Sequence, residues 1–145
     1  MVKESIILVA LTIFSIQDIK RKRIHSLSVF TFLFIGILFL FFSEETGLLN
    51  PLGGVCLGLV MFGISWITGE ALGYGDGWIF LTTGIYLGAQ KNFQLFVTST
   101  FIACAFSIIQ MIFGRKGAKD EIPFVPFIWM AYMIHIGGSC YERIV

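Results

Sequence analysis

The sequence predicts an all-α fold, a polytopic membrane helical bundle of about six transmembrane helices, and three observations carry that prediction. Of the 145 residues, 57% are hydrophobic and only 13% are charged, with a mean hydropathy of +0.88; soluble domains are roughly one quarter charged. The charge-free stretches fall into six blocks near the length of about 20 residues that crosses roughly 30 Å of hydrocarbon. The basic residues gather in two short clusters instead of spreading over a face, so the net charge of +1 points to topology and not to nucleic acid.

The first block covers about 5–19. Its start resembles a signal peptide, with apolar residues after Lys3, but a basic cluster follows Gln17 where a small-x-small cleavage pattern would stand, so it is read as a mature helix. The second and third blocks, about 26–43 and 50–69, flank Glu44 and Glu45. Gly54 and Gly58 form a G-x-x-x-G in the third, a spacing that lets helix backbones approach closely and is read here as packing. The fourth block, about 77–90, follows Gly73-Tyr74-Gly75-Asp76-Gly77, and Lys91 separates it from the fifth, about 93–113. The sixth, about 123–140, follows a mixed loop holding Arg115, Lys116, Lys119, Asp120 and Glu121, whose acids are explained as exposed ion pairs.

Short connections leave room for one membrane-embedded domain, residues 1–145, and no second folded unit. Six spans put Lys20-Arg21-Lys22-Arg23 and the 115–119 cluster on one side, which the positive-inside rule makes cytoplasmic, and both termini then face outward. The basic run fixes orientation and meets anionic headgroups. Cys56, Cys104 and Cys140 show no C-x-x-C spacing, so no zinc site or redox motif arises from adjacent ligands; they are read as small buried hydrophobes.

The chemistry is expected at Asp18 and Asp76, acids at the edges of apolar stretches, where a carboxylate is a functional candidate because deep burial costs about 2.5–3.5 kcal/mol on insertion scales. The topology, assigned from Lys and Arg alone, puts both on the cytoplasmic side. Two carboxylates that share a proton can activate water and protonate a leaving amine, which is what peptide hydrolysis needs when no metal, Ser or Cys takes part. Gly73, Gly75 and Gly77 let the backbone unwind beside Asp76 and an extended substrate come close. A bland alternative makes Asp76 only the N-cap of the fourth helix.

Three motifs in order resemble the type IV prepilin leader peptidases, intramembrane aspartyl proteases of the G-x-G-D type. Asp18 with Ile19-Lys20-Arg21-Lys22-Arg23-Ile24-His25-Ser26 resembles the family's Asp, basic run and Ile-Pro-Asn. Gly73-Tyr74-Gly75-Asp76 matches its signature in full, and Ile122-Pro123-Phe124-Val125-Pro126-Phe127 resembles its late Pro-Phe-Gly-Pro-Phe element. The resemblance implies a catalytic dyad of Asp18 and Asp76 in a multi-pass protein of a prokaryotic cell membrane, cutting a short basic leader from a membrane-anchored, pilin-like precursor on the cytoplasmic face. It implies no metal and no organic cofactor, and it places Pro123, Phe124 and Pro126 beside the scissile segment.

This sequence departs from the pattern at His25-Ser26, at Gly77-Trp78 in place of Val-Lys, and at Val125 in place of glycine, changes that touch leader selection more than reaction type. Larger members carry a cytosolic insertion with paired C-x-x-C motifs and methylate the new amino terminus. The loop after the first helix is only a few residues long and lacks cysteine, so cleavage without methylation is expected.

Glu70, a third carboxylate at the same edge, is a candidate to position water or a leader's basic residue, although a solvated interfacial acid is the simpler account. His25 and His135 are read as interfacial and structural respectively, and Trp66, Trp78 and Trp129 as interface anchors, the first two flanking the G-x-G-D region. Pro123 suits a first helical turn, and Pro126 removes an interior hydrogen bond unless it too lies in that turn. Two other functions compete: a small proton- or cation-coupled transporter or channel subunit, and a non-catalytic assembly protein that binds the same precursors. The lipid bilayer is a partner in every reading, and a second copy of the chain is an allowed one.

Overall fold

The computed structural model describes residues 2–21, 25–42, 49–68, 73–113 and 122–144, with the side chains at 2, 21 and 139–144 left out. All regular structure among these residues is α-helical: α1 (Val2–Arg21), α2 (Ser26–Phe42), α3 (Leu49–Ile67), α4 (Tyr74–Ile112) and α5 (Val125–Ile144).

The predicted fourth and fifth blocks are one unbroken assignment, α4, but not one straight rod. Gly88 has φ 76° and ψ −179°, a region essentially reserved for glycine, and the chain reverses there. Asn92 Nδ2 donates to the Phe80 carbonyl at 2.9 Å, and the rings of Phe80 and Phe96 lie 5.4 Å apart. Residues 12 and 16 positions apart in a straight helix would be separated by about 18 and 24 Å. α4 is therefore two antiparallel arms, 74–87 and 89–112. The corner comes three residues before Lys91, which is an exposed residue of the second arm and not a loop residue.

Small residues explain the tightest contact in the bundle. A Cβ on Gly54 would fall 2.3 Å from the Gly84 carbonyl oxygen, and one on Gly58 would fall 2.6 Å from the Leu81 backbone. α3 and the first arm of α4 thus pack backbone to backbone, as the G-x-x-x-G spacing predicts. Asn92, fully buried, ties the hairpin to α3: its Nδ2 also donates to the Gly54 carbonyl at 3.0 Å, and its Oδ1 accepts from Thr83 Oγ1 at 2.7 Å. A buried polar side chain must find such partners, and Asn92 finds three.

α1 runs antiparallel to both α2 and α5. Phe14 meets Phe32 edge to face at 5.6 Å and Lys3 Nζ sits 5.0 Å above the Phe39 ring, which fixes α2. Trp129 Nε1 donates to Thr12 Oγ1 and Tyr132 OH to the Glu4 carbonyl, which fixes α5. Ile7, Leu11, Phe14, Ile79, Phe80, Leu95, Val125 and Ile128 form the shared core.

The outside of the bundle is apolar too. Phe41, Phe42, Leu49, Trp66, Ile67, Phe101, Ile112 and Phe113 are each more than 70% exposed, the pattern of a surface solvated by lipid and not by water. This corrects the reading of the cysteines: Cys56 and Cys104 lie on that exposed surface, where a small apolar thiol is as comfortable as in a core, and the side chain of Cys140 is outside the described residues. α3 and α4 are long and apolar enough to cross a membrane, while α2 and residues 125–138 of α5 are apolar but shorter.

Two tryptophans are not free anchors. Trp78 packs against Phe30 and Phe62 at 5.2 and 5.1 Å, and Trp129 spends its N–H on α1, whereas Trp66 is 79% exposed.

Candidate active site

Asp18 lies one turn before the end of α1 and is buried. Its Oδ2 accepts the Val125 backbone N–H at 3.0 Å, and the Phe124 amide also reaches the same carboxyl group. Val125 is the first residue of α5, whose opening amides have no partner within the helix. Asp18 supplies what a local N-cap would, from another helix. Pro123 precedes α5 and Pro126 occupies its first turn, so neither removes an intrahelical bond.

Asp76 sits in the first turn of α4, half-buried. The helix starts at Tyr74, three residues earlier than the sequence suggests, so Gly75 and Gly77 are helical and the expected unwinding at Asp76 does not occur. The N-cap is Gly73, in extended backbone (φ −61°, ψ 127°) and without a side-chain cap bond, which removes the capping reading of Asp76. The carboxylate instead lies over Gly73: a Cβ there would be 3.3 Å from Asp76 Oδ2. Gly77 serves packing, since a Cβ on it would meet the Phe62 ring at 3.3 Å.

The two acids converge. Asp18 is near enough for its charge to act on Asp76. An independent chain of contacts agrees: Asp18 binds the amide of Phe124, whose ring lies 6.4 Å from that of Phe80, one turn beyond Asp76. The Phe124 and Val125 amides therefore border the Asp18 carboxylate and Gly73 that of Asp76; Gly77 faces Phe62, and Pro123, Pro126 and Gly75 are their neighbours along the chain. Glu70 lies outside the described residues, as do Lys22, Arg23, Asp120 and Glu121.

The decisive comparison is with a sequence model of the type IV leader peptidase family, which matches residues 5–109 and so includes both aspartates. The chain belongs to the type IV leader peptidase family. Members of this peptidase family are membrane-associated, in keeping with the apolar exterior and the two span-length helices. No curated protein and no solved structure is similar enough to add a second comparison.

Among type IV leader peptidases the sequence motifs draw attention to acids and glycines, and the structure adds amides. Gln17, beside Asp18, donates through Nε2 to Ser28 Oγ at 2.9 Å and accepts the His25 backbone N–H through Oε1 at 3.0 Å. One side chain thus ties the start of α2 to α1 next to the acid. His25 itself is exposed. The only signal for Gln17 in the sequence is its polarity at the end of an apolar run.

Proposed function

We propose that the chain is an intramembrane aspartyl endopeptidase that cleaves the short basic leader of a pilin-like or related secreted precursor, with Asp18 and Asp76 as the dyad. The observation that carries this reading is the approach of the two carboxyl groups from helices 58 positions apart in sequence, inside a chain of this peptidase family. One acid takes a proton from water as the other gives one to the departing amine, and the roles exchange as products leave.

The bundle crosses the membrane six times in this reading, counting each arm of α4 as one pass. The first arm, 74–87, is only about 21 Å long at 1.5 Å per residue, which brings Asp76 into the plane where water and hydrocarbon meet. Lys20 to Arg23 place that end in the cytoplasm. The precursor's apolar helix enters from the bilayer, and its extended scissile segment lies along Pro123, Phe124 and Pro126 beside Gly73 and Gly75. Glu70 meets the basic residues of the leader. No methyl transfer accompanies cleavage, and no cofactor is needed.

Co-expression with a tagged precursor tests the reading. Asp18→Asn and Asp76→Asn each abolish processing, while Asp120→Asn leaves it intact; processing by both dyad variants would refute the assignment. Proton or cation flux in liposomes without proteolysis would establish the transporter instead, and precursor binding that survives both substitutions without any cleavage would establish the scaffold.

A further inference from the structure

Among the described residues, Gln110 Oε1 is the buried side-chain polar atom that lacks a hydrogen-bond partner. An orphaned amide oxygen is costly relative to a satisfied one. The neighbours Ile108, Ile109, Met111, Ile112 and Phe113 are exposed apolar residues, beside which leucine would be an easy occupant.

The position of Gln110 follows from two contacts between the second arm of α4 and α5. Thr98 Oγ1 meets His135 Nε2 at 3.2 Å, and the rings of Phe106 and Phe127 lie 5.2 Å apart. The pairs are eight residues apart on each helix and in opposite directions, so they set one antiparallel register. Gln110 is one turn beyond Phe106, at the end of α4 nearest the start of α5. Asp18 reaches Phe124 and Val125 from α1. Gln110 and Asp18 therefore stand at the same end of α5, on two different helices.

Resting on the peptidase reading, we propose that Gln110 is a substrate-positioning residue, its Oε1 accepting a backbone N–H of the precursor's extended scissile segment. An extended peptide brings amide donors that no helix of its own satisfies, and Pro123 and Pro126 have no N–H with which to fill the acceptor themselves. Substrate and enzyme thus each hold one half of a missing bond. The residue acts on binding and alignment, not on protons.

The test uses the full chain in nanodiscs and a fluorescent synthetic precursor made of a basic leader ending in glycine and an apolar helix. Gln110→Leu removes the acceptor at similar volume; Gln110→Glu keeps an acceptor oxygen. Gln110→Leu is expected to weaken precursor Kd and raise KM about fivefold, the equivalent of one neutral hydrogen bond, while thermal stability without precursor stays level or rises. Gln110→Glu retains most of the affinity. Unchanged Kd in Gln110→Leu overturns the proposal, as does a fall in its stability matching the fall in binding, or no binding of the precursor to the unmodified chain. Kd is read without cleavage, so failure here is separate from failure of the dyad, which Asp18→Asn and Asp76→Asn report by processing.

Discussion

Asp18 Oδ2 accepts the Val125 N–H at 3.0 Å across 107 positions of sequence, so one carboxyl group holds the first amide of α5 while its charge reaches Asp76. The bond separates two jobs. Asp18→Asn keeps an acceptor oxygen for Val125 and is expected to preserve thermal stability while processing is lost. Asp18→Ala leaves buried amides unpaired and is expected to lose a further ~1–3 kcal/mol of stability. Melting of both variants in detergent, alongside precursor processing, checks the pair; equal destabilisation by Asn and Ala would show that the acceptor is unimportant.

Gly54 and Gly63 lie on the same helix and differ only in what faces them. A methyl group on Gly54 would strike the Gly84 backbone, while one on Gly63 meets nothing within 4 Å. Gly54→Ala is expected to cost about 1–3 kcal/mol or more as α3 is forced off α4. Gly63→Ala should stabilise by roughly 0.5–1 kcal/mol through helix propensity alone. Opposite shifts in melting temperature are the expected result.

At Gly88 the backbone is unusual in a way that asparagine does not rescue. With φ 76° and ψ −179° it lies outside the left-handed helical region that Asn tolerates, and a Cβ would also fall 2.5 Å from Asn50 Oδ1. Gly88→Ala and Gly88→Asn should therefore destabilise alike, by on the order of 1–3 kcal/mol. A selective rescue by Asn in thermal melts would refute this account of the corner.

Asn92→Leu strips the hairpin of its three side-chain bonds and is expected to cost at least ~2 kcal/mol. Gln94, two residues on, is exposed, and Gln94→Leu should be neutral within about 0.5 kcal/mol. Proteolysis at the Gly88 corner, compared between the two variants, reads the difference directly.

Hydropathy exposes the helices, their approximate ends and the two acids, because each is a local property of composition. It does not expose the corner at Gly88, since a reversal between two apolar arms needs no polar loop: one glycine in an otherwise forbidden conformation suffices, and Lys91 drew attention three residues too far along. Nor does it expose Asn92, whose polarity suggests a connection while its three buried partners come from residues as distant as Gly54. Three glycines resemble a loop, so composition puts the start of α4 three residues too late. Tyr74 and the packing of Gly77 on Phe62 favour helix there instead. The meeting of Asp18 with Asp76 was open to topology, but the hold of Asp18 on α5 was not, because a backbone amide leaves no mark in sequence.

The order of synthesis gives the Asp18 to Val125 bond a temporal meaning. Asp18 leaves the ribosome early and Asp76 midway, yet the amide that Asp18 holds is translated among the last elements of the bundle. Until that helix arrives the carboxyl group lacks the amide that holds it, so a half-made chain carries both acids without the frame that aligns them.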